Sequence, residues 1–430
     1  MKRFILSSII ISYFICLSGV SFAEETLTWS GCLAEAKKNN PDLISKVETV
    51  NQQKAARAVS ASGLYPQVDA SLNASTLTAT SRNASTGVKT SATTDDYSYG
   101  VSGSQLLFDG LKTVNNVKSA SENIKAAQEG YRFTSSEVRY NLRTAFVNLL
   151  KSQQMIQVAE EIAKIRRDNL ILISLRYQSG LEHRGALLTA EADVAQAKFG
   201  VSQAKRDVVV AQRQLTKEMG RLAFTPMVVN GELSVSDAAL GKPDFEALIK
   251  NNPALLQAAA KKNAASFSVR SAYAEFFPQL TGQLGADRLS SRWPPRNNSW
   301  SAGLGVSMPL FEGGLRFAQV AQAKAALRQA EADERSIRDN ALVSLEETWA
   351  SLQDAIETVA VQRKSLEATV ERAKIAEAQY STGFITFDSW TIIQDNLVSA
   401  KQAYLNAQAN ALFSEASWIQ AKGETLEYAQ

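Results

Sequence analysis

Few residues of this chain are equipped for chemistry. His183 is the only histidine, and one imidazole supplies neither a metal's ligand set nor a Ser-His or Cys-His pair. Cys16 follows Ile15 inside an apolar run. Cys32 follows Ser30-Gly31 in a polar segment well past that run, so neither has the context of a lipid-modified cysteine. With the N-terminal segment removed, one cysteine remains and no intrachain disulfide is expected. Gly100 and Gly103 lie in an alternating pattern, where a phosphate-cradling glycine loop is not expected. The chain therefore reads as no enzyme, with no catalytic residues, no cofactor and no metal. The side chains with most to offer sit at two turns. Leu181 follows Gly180, and Phe384 follows Gly383 with Asp388 and Asp395 just beyond.

Long helices must position those turns. The 430 residues include only 9 prolines, none of them in 67–225 or 310–430. Proline costs about 3 kcal/mol inside a helix, so these two stretches favour helices of unusual length. Basic residues number 46 and acidic residues 43, for a formal charge of +3. Near-neutral, interleaved charge excludes a nucleic-acid binder. Residues 1–23 form a secretory signal: Lys2 and Arg3, an apolar run from Phe4 to Val20, and Ser21-Phe22-Ala23 before Glu24. An uncleaved membrane anchor is the competing reading. No later stretch has the 18 or so uncharged apolar residues of a membrane-crossing helix.

The chain is an internal duplication. Asn39-Asn40-Pro41-Asp42-Leu43 recurs as Asn251-Asn252-Pro253-Ala254-Leu255, and Tyr65-Pro66-Gln67-Val68 as Phe277-Pro278-Gln279-Leu280, both offset by 212 residues. Leu107-Phe108-Asp109-Gly110 recurs as Leu310-Phe311-Glu312-Gly313, and Tyr177-Gln178-Ser179-Gly180 as Tyr380-Ser381-Thr382-Gly383, both offset by 203. The first repeat is assigned to 24–226, a linker to 227–244 and the second repeat to 245–430.

Each repeat opens with a helix capped by Asn40-Pro41 or Asn252-Pro253. Alternation follows, with strands expected at about 64–77 and 97–108, then 277–287 and 299–311. Val68, Ala70, Leu72 and Ala74 interleave with polar residues, as do Tyr97, Tyr99 and Val101. In the second copy the apolar sets are Leu280, Gly282, Leu284 and Ala286, then Trp300, Ala302, Leu304 and Val306. Period two marks a strand with one apolar and one polar face. Polar loops are expected at 75–96 and 288–299. Helices of some 65 residues follow at about 112–177 and 315–380, roughly 100 Å long. Shorter helices return at about 186–220 and 387–421.

Four amphipathic strands cannot close a barrel, and an open sheet edge cannot face lipid. Strands of this kind in a membrane require several chains: three supply twelve strands and two supply eight. The polar faces would then line a lumen, with Tyr97, Tyr99, Trp293 and Trp300 near a membrane interface. An ordinary surface hairpin on a soluble core competes with this reading. A coiled-coil structural protein of the envelope is the alternative from another class. It accounts for the long helices but not for the paired hairpins. A periplasmic adaptor would have one helical hairpin and more strands.

These landmarks closely resemble the TolC family of bacterial outer-membrane efflux and secretion channels. Leu27-Thr28-Trp29 with Cys32-Leu33, the Asn-Asn-Pro start, Tyr/Phe-Pro-Gln, Leu-Phe-Asp/Glu-Gly and Tyr-x-x-Gly all match in order, twice. The resemblance implies a mainly α chain with a membrane β-barrel. It implies a homotrimer whose twelve-stranded barrel in outer-membrane lipid continues into an α-helical periplasmic tunnel, with the linker in an equatorial belt. It implies an exit duct working with a periplasmic adaptor and an inner-membrane proton-driven pump, or with an ABC transporter in type I protein secretion. It places adaptor docking at Gly180, Leu181, Gly383 and Phe384. In the best-known members of the family, rings of aspartates close the periplasmic aperture six and nine residues after the second tip glycine. Those positions are Ser389 and Ile392 here, and Ala186 and Thr189 after Gly180. Asp388 and Asp395 are the nearest carboxylates for such an aperture, and solvated helix-surface residues are the competing reading. Phe384, Phe387 and Trp390 offer an apolar constriction instead, or simple hairpin packing. The cargo is not legible.

Overall fold

The computed structural model describes residues 25–234 and 241–428. The signal segment read at 1–23 and linker residues 235–240 lie outside the described residues. The elements are β1 (Glu25–Leu27), α1 (Trp29–Asn39), α2 (Pro41–Ser62), β2 (Gln67–Arg82), β3 (Lys89–Phe108), α3 (Lys112–Gln178), α4 (Arg184–Glu218), β4 (Met227–Val229), α5 (Phe245–Ile249), α6 (Pro253–Ala274), β5 (Gln279–Ser290), β6 (Asn297–Ser307), α7 (Leu315–Ser381) and α8 (Phe387–Ala421), with a 3-10 turn at Leu426–Tyr428. The repeats match helix for helix: α2 and α6 have 22 residues each, α3 and α7 have 67, and α4 and α8 have 35. At 1.5 Å per residue, α3 and α7 each run about 100 Å.

Local chemistry sets the helix starts. Asn40 Oδ1 accepts from the amides of Asp42 (3.0 Å) and Leu43 (3.4 Å), and Asn252 Oδ1 accepts from Ala254 N (2.9 Å). In each case proline occupies the first turn, where its missing N–H costs nothing. Asp109 Oδ2 takes the Thr113 amide at 2.7 Å and its hydroxyl at 2.6 Å. That pair of bonds holds the α3 entry at Leu111, whose φ of 69° is a left-handed value; Gly314 stands at the matching place in the second repeat with φ 87°.

The main core lies where the repeats meet. Cys32, Leu142, Phe146, Leu149, Leu215, Met219, Met227 and Leu412 are buried together there. Burial pushes the Cys32 thiol up to about 11, so it packs as a small apolar group. Three short elements here were not anticipated from sequence. β1 and β4 pair in parallel, Glu25 with Met227 through Leu27 with Val229, and α5 packs on α7 near Trp418. Arg221, three residues past the end of α4, fixes the N-terminal segment. Its guanidinium reaches Glu35 at 2.6 and 2.8 Å and Glu25 at 2.7 and 3.1 Å, which holds the Glu25 carboxyl below its usual range.

The four long strands form one antiparallel sheet in the order β2-β3-β5-β6. The first hairpin is longer than the alternation predicts. β2 runs to Arg82 and β3 begins at Lys89, so the connection is 83–88, where a polar loop at 75–96 was expected. Residues 76–82 and 89–95 carry Thr, Ser and Ala without an apolar face, so the period-two signal vanishes although β-branched threonines keep the backbone extended. Cross-strand bonds hold this outer part: Thr76 Oγ1 donates to Asp95 at 2.8 Å, and Thr78 and Thr93 hydroxyls meet at 3.0 Å. In the second hairpin the connection shortens to 291–296, and β6 ends at Ser307, short of the expected 311.

Candidate functional site: an amphipathic sheet and two helical tips

Residues paired across antiparallel strands point to the same face, so the register sorts every side chain. One face collects Val68, Ala70, Leu72 and Ala74; Tyr97, Tyr99 and Val101; Leu280, Leu284 and Ala286; and Trp300, Ala302, Leu304 and Val306. Leu72 sits opposite Tyr99, Val101 opposite Ala286, and Ala286 opposite Trp300. The other face collects Gln67, Ser71, Asn73, Ser98, Ser102, Ser104, Gln279, Gln283, Ser301 and Ser307. Both faces are largely open in the single chain, with Leu72, Leu284 and Leu304 exposed as fully as their polar neighbours. An apolar band of this kind, unpartnered within the chain, is what a lipid-facing wall presents.

Charge follows the same division. The charged residues of the polar face among the four strands are Asp69, Asp96 and Asp287, all acidic, and Asp287 lies across Gly100, where an added Cβ would fall 1.8 Å from its Oδ1. Gly100 is therefore a strand glycine that admits the neighbouring carboxylate, as the alternation indicated. At the loop end of the apolar face, Trp293 packs edge-on against Tyr97 (6.3 Å) and Tyr99 (6.4 Å). Arg288 donates there to Asn298 Oδ1 at 2.9 Å.

At the opposite end of the long helices the two tips share one geometry. Gly180 has φ 73° and Gly383 φ 81°. The amides of Gly180 and Leu181 reach Tyr177 O and Arg176 O at 3.0 and 2.9 Å; those of Gly383 and Phe384 reach Tyr380 O and Gln379 O at 3.0 and 2.8 Å. This six-to-one, five-to-two pairing is a Schellman motif, which needs a residue tolerant of positive φ. Nothing lies within 4 Å of a Cβ built at either glycine, so backbone conformation and not crowding selects glycine. The residue after it is left in the open: Leu181 is 66% exposed and Phe384 84%. His183 caps α4, with Nδ1 accepting the Ala186 amide at 3.1 Å.

Beneath the tips the repeats are locked to each other. Trp390 is 1% exposed and stacks on Tyr380 at 4.5 Å, inside a cluster with Ile173, Ala186, Ala190 and Ala376. Phe387 packs against the same cluster. Of the three aromatics considered for a constriction, the structure places Trp390 and Phe387 in hairpin packing and leaves Phe384 free. The Tyr380 hydroxyl donates to Glu182 at 2.8 Å across the two tips, and burial with that carboxylate raises its pKa. The Arg176 guanidinium covers the Tyr380 ring at 4.7 Å.

Asp388, Ile392 and Asp395 follow one another at helical spacing along one stripe of α8, and all three are exposed. Asp388 lies in the first turn of α8, where the helix dipole favours a carboxylate. Ser389 serves the cap: its amide donates to Thr386 Oγ1 at 3.3 Å. Asp395 is not a free carboxylate. It is ion-paired with Arg166 of α3, whose guanidinium also reaches Asp193 of α4 at 3.4 Å. Burial raises the Asp193 carboxyl against the pull of Arg166. Arg166 was not singled out from sequence, because a basic residue inside a 67-residue helix carries no local mark of its partner.

The outer membrane efflux protein family model matches residues 32–221 and 245–424, one stretch in each repeat. The chain is 25% identical over 419 residues to outer membrane efflux protein BepC of Brucella suis, covering 95% of this chain and 87% of that protein. It is 21% identical over 406 residues to cation efflux system protein CusC of Escherichia coli K12, covering 91% and 85%. Among solved structures, the CmeC outer membrane channel of Campylobacter jejuni superposes with a TM-score of 0.80 at 19% identity, over 91% of this chain and 84% of that one. The outer membrane protein VceC of Vibrio cholerae superposes with a TM-score of 0.78 at 17% identity, over 92% and 96%. With its duplicated helices, its face-sorted sheet and a family match in both repeats, this chain belongs to the outer membrane efflux protein family.

Proposed function

We propose that three copies of the chain close a twelve-stranded barrel in the outer membrane and form the exit duct of a tripartite efflux system. The observation that carries this reading is the four-stranded sheet, sorted into an apolar and a polar face where all four strands lie side by side and unpaired at β2 and β6. Four strands do not close, and an unpaired edge cannot remain in lipid. The connections 83–88 and 291–296 then lie outside the cell, and α3, α4, α7 and α8 carry the lumen into the periplasm. The repeats, with strands as observed, and the linker between them form the domains of this duct. An inner-membrane transporter, proton-driven or ABC, supplies the drive, and a periplasmic adaptor joins it to the duct.

The tips are the docking points. Gly180, Leu181, Gly383 and Phe384 present the same turn twice per chain, each with an apolar side chain uncovered. Gly383→Val forces a β-branched residue to φ 81°, which costs about 1–2 kcal/mol and distorts the turn. Photocrosslinkers at 181 and 384 are expected to capture the cognate adaptor, and Gly383→Val to reduce that capture about tenfold at unchanged trimer level. No capture from either position would overturn the assignment.

A further inference from the structure

The internal duplication reaches beyond the chain, because three contacts made inside it are missing their second instance. The hairpin registers are equivalent in both repeats. Gln67 pairs with Ser104 and Val68 with Gly103; Gln279 pairs with Ser307 and Leu280 with Val306, the same pairs displaced by 212 and 203 residues. Between the hairpins, β3 pairs with β5, Ser104 with Gln283 and Val101 with Ala286. The equivalent of β3 is β6 and that of β5 is β2, yet these two strands are the free edges of the sheet.

Exposure records the same absence. Phe108, paired with Leu280, is 42% exposed, whereas its equivalent Phe311 is 88% exposed and lies beyond the end of β6. Gly110 is packed so tightly that an added Cβ would lie 2.6 Å from Phe277 Cβ and 2.7 Å from Ala274 O; the equivalent Gly313 has nothing within 4 Å. Ser271 of α6 is buried, its hydroxyl 2.6 Å from Asn116 of α3. The α2 equivalent of Ser271, Val59, stands exposed.

We infer that the seam between subunits repeats the internal β3–β5 register, with β6 pairing antiparallel to the next copy's β2. Ser307 then lies opposite Ser71 of the partner subunit, and Leu304 opposite Ala74 of the partner subunit. Residues 308–311 extend β6, with Phe311 opposite Val68 of the partner subunit, and Gly313 packs beneath Tyr65 of the partner subunit. This register keeps polar residues opposite polar and apolar opposite apolar across the seam, which a one-residue slip would reverse. It rests on the trimer reading and adds the register to it.

Disulfide capture tests the register, because directly opposed residues place their Cβ atoms about 4.5–5.5 Å apart and diagonal ones about 7–8 Å apart, and only the former suit a disulfide. Within one chain, positions 71 and 307 sit on opposite edges of the sheet, so any bond between them joins subunits. The double variants S71C/S307C and A74C/L304C, mildly oxidised in isolated outer membranes, are expected to form covalent dimers and trimers at about ten times the yield of the shifted pair N73C/S307C. Equal or greater yield from the shifted pair overturns the register, and so does failure of both aligned pairs to crosslink. If the parent chain forms SDS-resistant trimers in either case, the trimer reading stands while the register falls. If the parent forms no SDS-resistant trimer, the reading and the register fall together.

Discussion

Lysine in place of Leu284 is expected to abolish assembly in the membrane, while lysine at the adjacent Gln283 leaves it nearly intact. Leu284 lies midway along β5, on the face shared with Gly103 and Ala302; Gln283 points to the opposite face with Ser104 and Gly303. A lysine at the midplane of the lipid face costs about 2–4 kcal/mol per site, and a closed trimer incurs that cost three times. At position 283 the ammonium would enter a polar face that already holds Asp69, Asp96 and Asp287, where water and carboxylates receive it. Heat-modifiable trimer on unboiled gels is the readout. Equal loss at both positions would show that the two faces of the sheet are not lipid and lumen.

The second large effect concerns the periplasmic end. Arg166 is nearly buried and holds Asp193 of α4 and Asp395 of α8, so one side chain joins the two repeats. Removing it by Arg166→Ala leaves two carboxylates facing each other without their shared cation. Breaking a fully buried pair costs about 3–5 kcal/mol, and the exposure of Asp395 lowers the figure to about 1–2 kcal/mol per subunit. Three such losses at one end of the tunnel are expected to loosen the crossing of α3 on α8 and raise single-channel conductance several-fold, with the barrel and trimer level unaltered. Asp395→Ala is expected to act in the same direction but more weakly, because Arg166 retains Asp193. Asp388→Ala breaks no contact within the chain and is expected to change cation sensitivity more than conductance. Conductance of Arg166→Ala equal to that of the parent would remove the tie from the account.

Much of the fold was legible because the chain repeats itself. Asn-Asn-Pro, Tyr/Phe-Pro-Gln, Leu-Phe-Asp/Glu-Gly and Tyr-x-x-Gly each mark a place where a cap, a strand start or a left-handed turn restricts residue choice, and all four fall at element boundaries in the structure. The apolar face of the sheet was legible at Val68–Ala74 and Trp300–Val306 because lipid demands strict alternation. It was illegible at 76–82 and 89–95, where Thr and Ser occupy both faces of the strands and leave no period-two signal. The three-residue strands β1 and β4 are too short to show a period and pair across some two hundred residues. At the tips, the glycines and the uncovered Leu181 and Phe384 follow from turn chemistry. The burial of Trp390 on Tyr380 and the Arg166 ion pairs depend on how four helices cross, which spacing within any one of them does not encode.

The central claim is that this chain makes a water-filled pore only as a closed assembly of copies. Purified protein, shown to run as a heat-modifiable trimer, is added to a planar lipid bilayer and single-channel current is recorded. The account predicts discrete, uniform conductance steps from the unheated trimer and none from the same sample after heating to monomer. Steps of equal size from the monomer, or no steps from a stable trimer even when it carries Arg166→Ala, would contradict it.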